Sequence, residues 1–215
     1  MPRTKHQSLS FWSQGPSQRR GITFANPASI ATRTSAACFE VGVIGIDPGL
    51  SGALALIPAR RCGLVWTLDI NAAVIEDMPV VSRNARREVS APDVAEIIRH
   101  NLSGPMHAFV EMVGAAPIHH RRQGTSSMFS FGRSFGVLLG VLAALRVGIT
   151  LVRPQDWRRG MQVNNGKDAS RVRALELHPG LHSRLARIKD HGRADALLLA
   201  TYGLRVFNRE AEDIF

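Results

Sequence analysis

The sequence predicts an α/β protein with a mixed five-stranded sheet: three antiparallel strands, then βαβ units, with helices flanking the sheet. Three observations carry this expectation. The apolar runs Val41–Ile46 and Ala53–Ile57 are separated only by a short segment containing Asp47-Pro48-Gly49, which is the spacing of a hairpin. Two later short runs, Ala108–Met112 and Ile149–Arg153, alternate with stretches of helical period. The resulting order is three strands, helix, strand, helix, strand and closing helices, which extends an antiparallel start by parallel units.

The chain has 215 residues, enough for one domain plus an appendage, and 45% hydrophobic residues, enough for a proper core. Its formal net charge of +10 favours a polyanionic partner. Of the 27 basic residues only Lys5, Lys167 and Lys189 are lysines. Arginine forks grip phosphate bidentately, so the bias fits nucleic acid; a GC-rich genome explains it equally well. Cys38 and Cys62 are far apart and form no Cys-x-x-Cys pattern, which argues for a reducing compartment and against structural zinc. The longest apolar stretch, Phe135–Leu145, falls short of the roughly 20 residues a bilayer span needs, so no membrane partner is expected.

Residues 1–39 contain no acid, carry Arg3, Lys5, Arg19, Arg20 and Arg33, and show no hydrophobic period. They read as a basic, disordered extension. The same composition fits an organelle transit peptide, so the expected location is the cytoplasm, or a chloroplast or mitochondrion if the extension is a targeting signal. The folded domain is expected over 40–208, with a short tail at 209–215.

Within the domain, Val41–Ile46 is a continuous Val- and Ile-rich run, as a strand buried on both faces reads. Asp47 ends it, as either a functional acid or a turn-capping Asp. Leu64–Ile70 reads as the third strand, followed by a polar, basic loop around Arg83–Arg87. Ser90 is placed as an N-cap with Pro92 and Asp93 in the first turn, opening a helix to about Asn101 whose Val94, Ile97 and Ile98 share a face. After the run ending in Glu111, a loop through His119–Gly124 leads into a long helix from about Ser126 to Arg146. Gly132, Gly136 and Gly140 recur there every four residues. Each costs roughly 1 kcal/mol against alanine, so the row calls for close backbone approach, by the domain's own sheet or by a second subunit. A short helix with Trp157, a helix over Lys167–His178 and a final helix from near Asp190 to about Phe207 complete the chain.

In this order Asp47 ends the first strand and Glu111 the fourth, so neighbouring strands would bring the two carboxylates to one sheet edge. Asp195 lies at the start of the final helix, with Asp190 and His191 just before it. Clustered carboxylates without a base need a divalent cation, and an oxygen-rich site favours Mg²⁺ or Mn²⁺. On a basic chain, this suggests two-metal phosphoryl chemistry.

Ile44–Gly49, Phe109–Glu111 and Lys189–Leu197 resemble the three acidic blocks of RuvC-type Holliday junction resolvases, most of all the branch with chloroplast and phage or prophage proteins. Ser126–Arg133 and Lys167–Arg171 are similar to that branch too. The resemblance covers about Val41 to Phe207. It implies an RNase H-like fold, a homodimer, and metal-dependent cutting of four-way or branched DNA to 5′-phosphate and 3′-hydroxyl ends. It further implies that Asp47, Glu111, Asp190 and Asp195 hold two Mg²⁺ or Mn²⁺ ions. One departure stands out: where many bacterial RuvC proteins carry a ligand three residues before the last acid, this chain has Gly192. Asp190 lies five back, about 140° around an ideal helix, whereas His191, four back, shares a face with Asp195 and is a further candidate ligand.

Arg121, Arg122, Gln123, Lys167, Arg171 and Lys189 flank the acidic blocks and are the expected DNA contacts, which position a duplex without reading it. Phe129 and Phe131 fit either base stacking or core packing. Two rival functions stay open: an RNase H-like nuclease without junction specificity, and a non-catalytic protein that binds branched DNA.

Overall fold

The computed structural model describes residues 39–63, 65–83, 86–112 and 125–212. The expected loop residues Arg121, Arg122 and Gln123 and residues 1–38 of the expected extension lie outside them, while Phe39, placed in the extension, begins the first strand.

Strands β1 (Phe39–Asp47) and β2 (Ala53–Cys62) form the hairpin that the Asp-Pro-Gly turn implies, in antiparallel register from Phe39↔Arg61 to Asp47↔Ala53. β3 (Val65–Leu68) adds to the far half of β2. On the other side of β1 lies β7 (Met106–Glu111), parallel, and beyond it β8 (Gly148–Val152), also parallel. All five expected strands are present, in the order β3-β2-β1-β7-β8.

A sixth strand, β4 (Val74–Asp77), was not legible in the sequence and pairs with the near half of β2. β2 is ten residues long, so one edge serves two short partners. The segment read as a basic loop instead forms a separate hairpin, β5 (Val80–Arg83) with β6 (Arg86–Val89). Valines sit at its root (Val80, Val81 and Val89) and polar residues toward its turn, and a two-stranded ribbon leaves room for them in water.

Helices cover both faces of the sheet. Period-2 alternation sends Ile44, Ile46, Leu54, Leu56, Ala108 and Val110 to one side, where α1 (Ala91–Asn101) and α2 (Thr125–Ala144) bury Val94, Ile98, Leu138 and Leu142 against them. Val41, Val43, Ala55, Ile57 and Phe109 face the other side, packed by α3 (Pro154–Gly160), α4 (Ala169–Leu177) and α5 (His191–Glu212). Contact between α5 and the sheet is at backbone level. A Cβ on Gly45 would lie 1.9 Å from the Ala196 carbonyl oxygen and 2.5 Å from the Ala200 nitrogen. α5 runs past the expected boundary at 208 because Asn208 holds the Trp66 backbone from both sides, at 2.7 and 3.1 Å, and Ala211 is buried.

The glycine row of α2 does not meet the domain's own sheet. A Cβ on Gly132, Gly136 or Gly140 would find nothing within 4 Å among the described residues. The buried face of α2 carries Ser134, Leu138 and Leu142 instead, and Phe129 on the outer face is 72% exposed.

Candidate metal centre

Strand pairing builds the site. Register between β1 and β7 runs to Ile46↔Val110, so the next residues, Asp47 and Glu111, end adjacent parallel strands at the same sheet edge. Alternation gives both the α5 side, because Val43 and Phe109 point there. α5 begins above this edge and adds Asp195 from its second turn, with His191 at its first residue.

Gly192 explains the departure from the usual spacing. A Cβ there would sit 2.6 Å from the Ser51 carbonyl, 2.9 Å from the Gly52 Cα and 3.2 Å from Asp47 Oδ2. The first turn of α5 thus rests directly on the turn that carries Asp47, and a liganding side chain at that position has no room.

Each acid has local support. The Gly49 N–H donates to Asp47 Oδ1 at 3.3 Å. The indole N–H of buried Trp157, on α3, donates to Glu111 Oε2 at 3.2 Å. Arg158, the next residue, stacks over the Trp157 ring at 5.4 Å and donates to Ser170 Oγ at 3.3 Å. Sequence reasoning placed Trp157 in a short helix but gave it no role. The available signal was its position just after β8, whose Val152 pairs with Glu111.

The electrostatics show one cluster. Burial pushes Asp47 up to about 6, with repulsion from Asp195 adding to it and the Gly49 N–H and His191 opposing. Burial likewise pushes Glu111 up to about 7, aided by the charges of Asp47 and Asp195 and opposed by the Trp157 hydrogen bond and Arg158. Asp195 is raised by burial, against Ser170, Arg158 and His191. Its Oδ1 is buried with no hydrogen-bond partner among the described residues. An orphaned oxygen on a carboxylate coupled to two other desolvated acids is costly unless a cation neutralises it. The donor set fits a hard divalent ion. Among the described residues no group of three His, Cys, Asp or Glu side chains is arranged to hold a metal as it stands.

Trp157→Phe should raise the Glu111 pKa above its value of about 7, because it removes a donor to the charged form. Side-chain carboxyl NMR titration checks this; an unmoved or lowered value would contradict the hydrogen bond.

Asp190 is not part of this cluster. Its carboxylate is 2% exposed and closes a short 3₁₀ turn, Ile188–Asp190, accepting from the Arg187 N–H at 2.8 Å and its guanidinium at 2.7 and 3.0 Å. That hydrogen bonding to Arg187 holds Asp190 below the usual carboxylate range. Arg171 is paired internally, donating to Asp168 at 2.6 Å and to the Leu185 carbonyl at 3.1 Å. Lys167 and Lys189 are exposed.

No family model matches the chain. Among solved structures it is similar to T. thermophilus RuvC in complex with Holliday junction substrate, at 16% identity over 80% of this chain and 96% of that one, TM-score 0.49. A second Thermus thermophilus RuvC structure gives 18% identity over the same shares and a TM-score of 0.45. Among curated proteins it is similar to the Chlamydomonas reinhardtii protein "Holliday junction resolvase MOC1, chloroplastic", 31% identical over 152 residues, or 65% of this chain. The chain spans only 17% of the length of that relative. The resemblance carried by the three acidic blocks is borne out by this relative: the chain is similar in sequence to a Holliday junction resolvase of the chloroplast branch.

Proposed function

We propose that the chain is a structure-selective endonuclease that resolves four-way DNA junctions by paired, symmetrical phosphodiester hydrolysis, leaving 5′-phosphate and 3′-hydroxyl ends. The observation that carries this reading is the convergence of Asp47, Glu111 and Asp195 from three separate segments of a basic chain, with a buried oxygen of Asp195 lacking a partner among the described residues. In this reading these acids hold Mg²⁺ or Mn²⁺, two ions per site, and His191 completes the set. When bound, the ions supply charge neutralisation and Lewis acidity at the scissile phosphate. Gly49 fixes the orientation of Asp47, and Trp157 that of Glu111. Asp190 serves to pin the start of α5 through Arg187.

Proton linkage gives a direct test. Asp47 and Glu111 titrate higher in the folded chain than unfolded, so the unfolded chain binds fewer protons between about pH 4 and 7 and metal-free stability falls as pH rises through that window. The Asp47 shift alone corresponds to about 2–3 kcal/mol. Thermal melts from acid to neutral pH should show this loss, and Mg²⁺ should reverse it. A melting temperature that climbs towards neutrality without metal would contradict the site.

The junction preference rests on the similarity to the chloroplast-branch relative. It is tested by competition: a labelled four-way junction should stay bound against excess linear duplex, and displacement by equal duplex would favour a general nuclease. We further propose a homodimer formed through the outer face of α2, supported by its exposed Phe129 and its uncovered glycines. Gly136→Leu should shift the chain towards monomer in sedimentation, and an unchanged mass would move the interface elsewhere. The site of action is cytoplasmic DNA, or organellar DNA if residues 1–39 act as a transit peptide, a reading compatible with the chloroplastic relative.

A further inference from the structure

We infer that the cleft between the β5–β6 hairpin and the start of α5 is a phosphate site for the DNA strand running past the acid cluster, with Arg87 and Lys189 as its two contacts. This rests on the nuclease reading above.

The cleft, of ≈ 550 Å³, is bounded by Ser51 and Gly52 on one side, Arg87 on another, and Arg187, Lys189 and His191 on the third. It adjoins the candidate metal centre. A Cβ on Gly52 would lie 2.2 Å from the Asp47 carbonyl oxygen, and His191 opens α5 beside Asp195. Asp77 and Asp190 also line it, but both are already neutralised. Arg193 grips Asp77 bidentately at 2.6 and 2.9 Å, and Arg187 grips Asp190. Both carboxyls are held below their usual range by those hydrogen bonds. Arg87 and Lys189 remain, exposed and without an acid partner among the described residues.

Arg87 is held in a fixed relation to Asp47. The Met78 N–H donates to the Gly52 carbonyl at 2.9 Å, and the Ser90 N–H to the Pro79 carbonyl at 2.9 Å, so the root of the hairpin is fastened to the turn that carries Asp47. In the register Val80↔Val89 and Ser82↔Arg87, Arg87 shares a face with Val80, and both line the cleft. Arg86 lies on the opposite face. An arginine fork and a lysine point charge facing each other across a groove suit the phosphodiester of a passing strand.

The test uses the full chain, a labelled four-way junction and EDTA, with the dissociation constant followed from about 50 to about 200 mM salt. Arg87→Ala and Lys189→Ala should each weaken binding and make the log–log salt slope shallower by about 0.9, the double variant by about twice that. Arg86→Ala should leave the slope unchanged. An unchanged Arg87→Ala slope, or an equal loss in Arg86→Ala, would overturn the assignment. A wild-type chain that bound no DNA would overturn the nuclease reading as well, whereas wild-type binding with an unaltered Arg87→Ala overturns this inference alone.

Discussion

Asp47→Asn should lower junction cleavage by more than 100-fold while leaving junction binding intact. Loss of groups that merely orient a metal ligand costs about 10- to 100-fold, so loss of a residue that would itself hold the metal should exceed that. Asn keeps the volume and can still accept from the Gly49 N–H, so the turn and the close contact with α5 survive. The same substitution should make the metal-free protein more stable near pH 7, by up to the roughly 2–3 kcal/mol that burying the Asp47 charge costs. A structural, turn-capping Asp would behave in the opposite way, losing stability and keeping activity. Gel-mapped cleavage and melts on one preparation separate the two.

Gly45→Ala should destabilise the domain by about 3 kcal/mol or more, since an added methyl that cannot be accommodated costs at the upper end of overpacking. The atoms it would meet are the backbone of Ala196 and Ala200, at 1.9 and 2.5 Å, and backbone cannot swing aside as a side-chain tip does. The only relief is to lift α5 off β1. Asp195 immediately precedes Ala196, so that movement also carries a proposed ligand away from Asp47. The melting temperature should fall by about 10 °C, at roughly 2–4 °C per kcal/mol for a domain of this size, and cleavage should fall even where the protein stays folded. Gly180→Ala, in open space, is the control and should be close to neutral. A Gly45→Ala protein as stable as wild type would mean that α5 does not sit on β1 as described.

The main strands were legible because buried strands are continuous apolar runs, and a lone acid at the end of such a run stands out against it. Asp47 and Glu111 therefore declared themselves, and their meeting followed once β1 and β7 were taken as neighbours. β4 stayed hidden because only Val74 and Ile75 mark it, and β5 and β6 because their charged residues read as loop. Trp157 supports Glu111 across 46 positions, a pairing that no local pattern shows. Asp190 lost its expected place to Arg187, three residues before it, through a 3₁₀ turn that sequence periodicity does not reveal. For the glycine row, α2 is apolar on nearly every side, so its helical period could not tell the covered face from the open one.

The most direct test of the proposed activity is the product map of an end-labelled four-way junction incubated with the wild-type chain in Mg²⁺ or EDTA. The expected result is a pair of nicks placed symmetrically on opposing strands, with 5′-phosphate ends, present in Mg²⁺ and absent in EDTA. Junction binding without any nick in Mg²⁺, or nicks that persist in EDTA, would contradict the metal-dependent resolvase built on Asp47, Glu111 and Asp195.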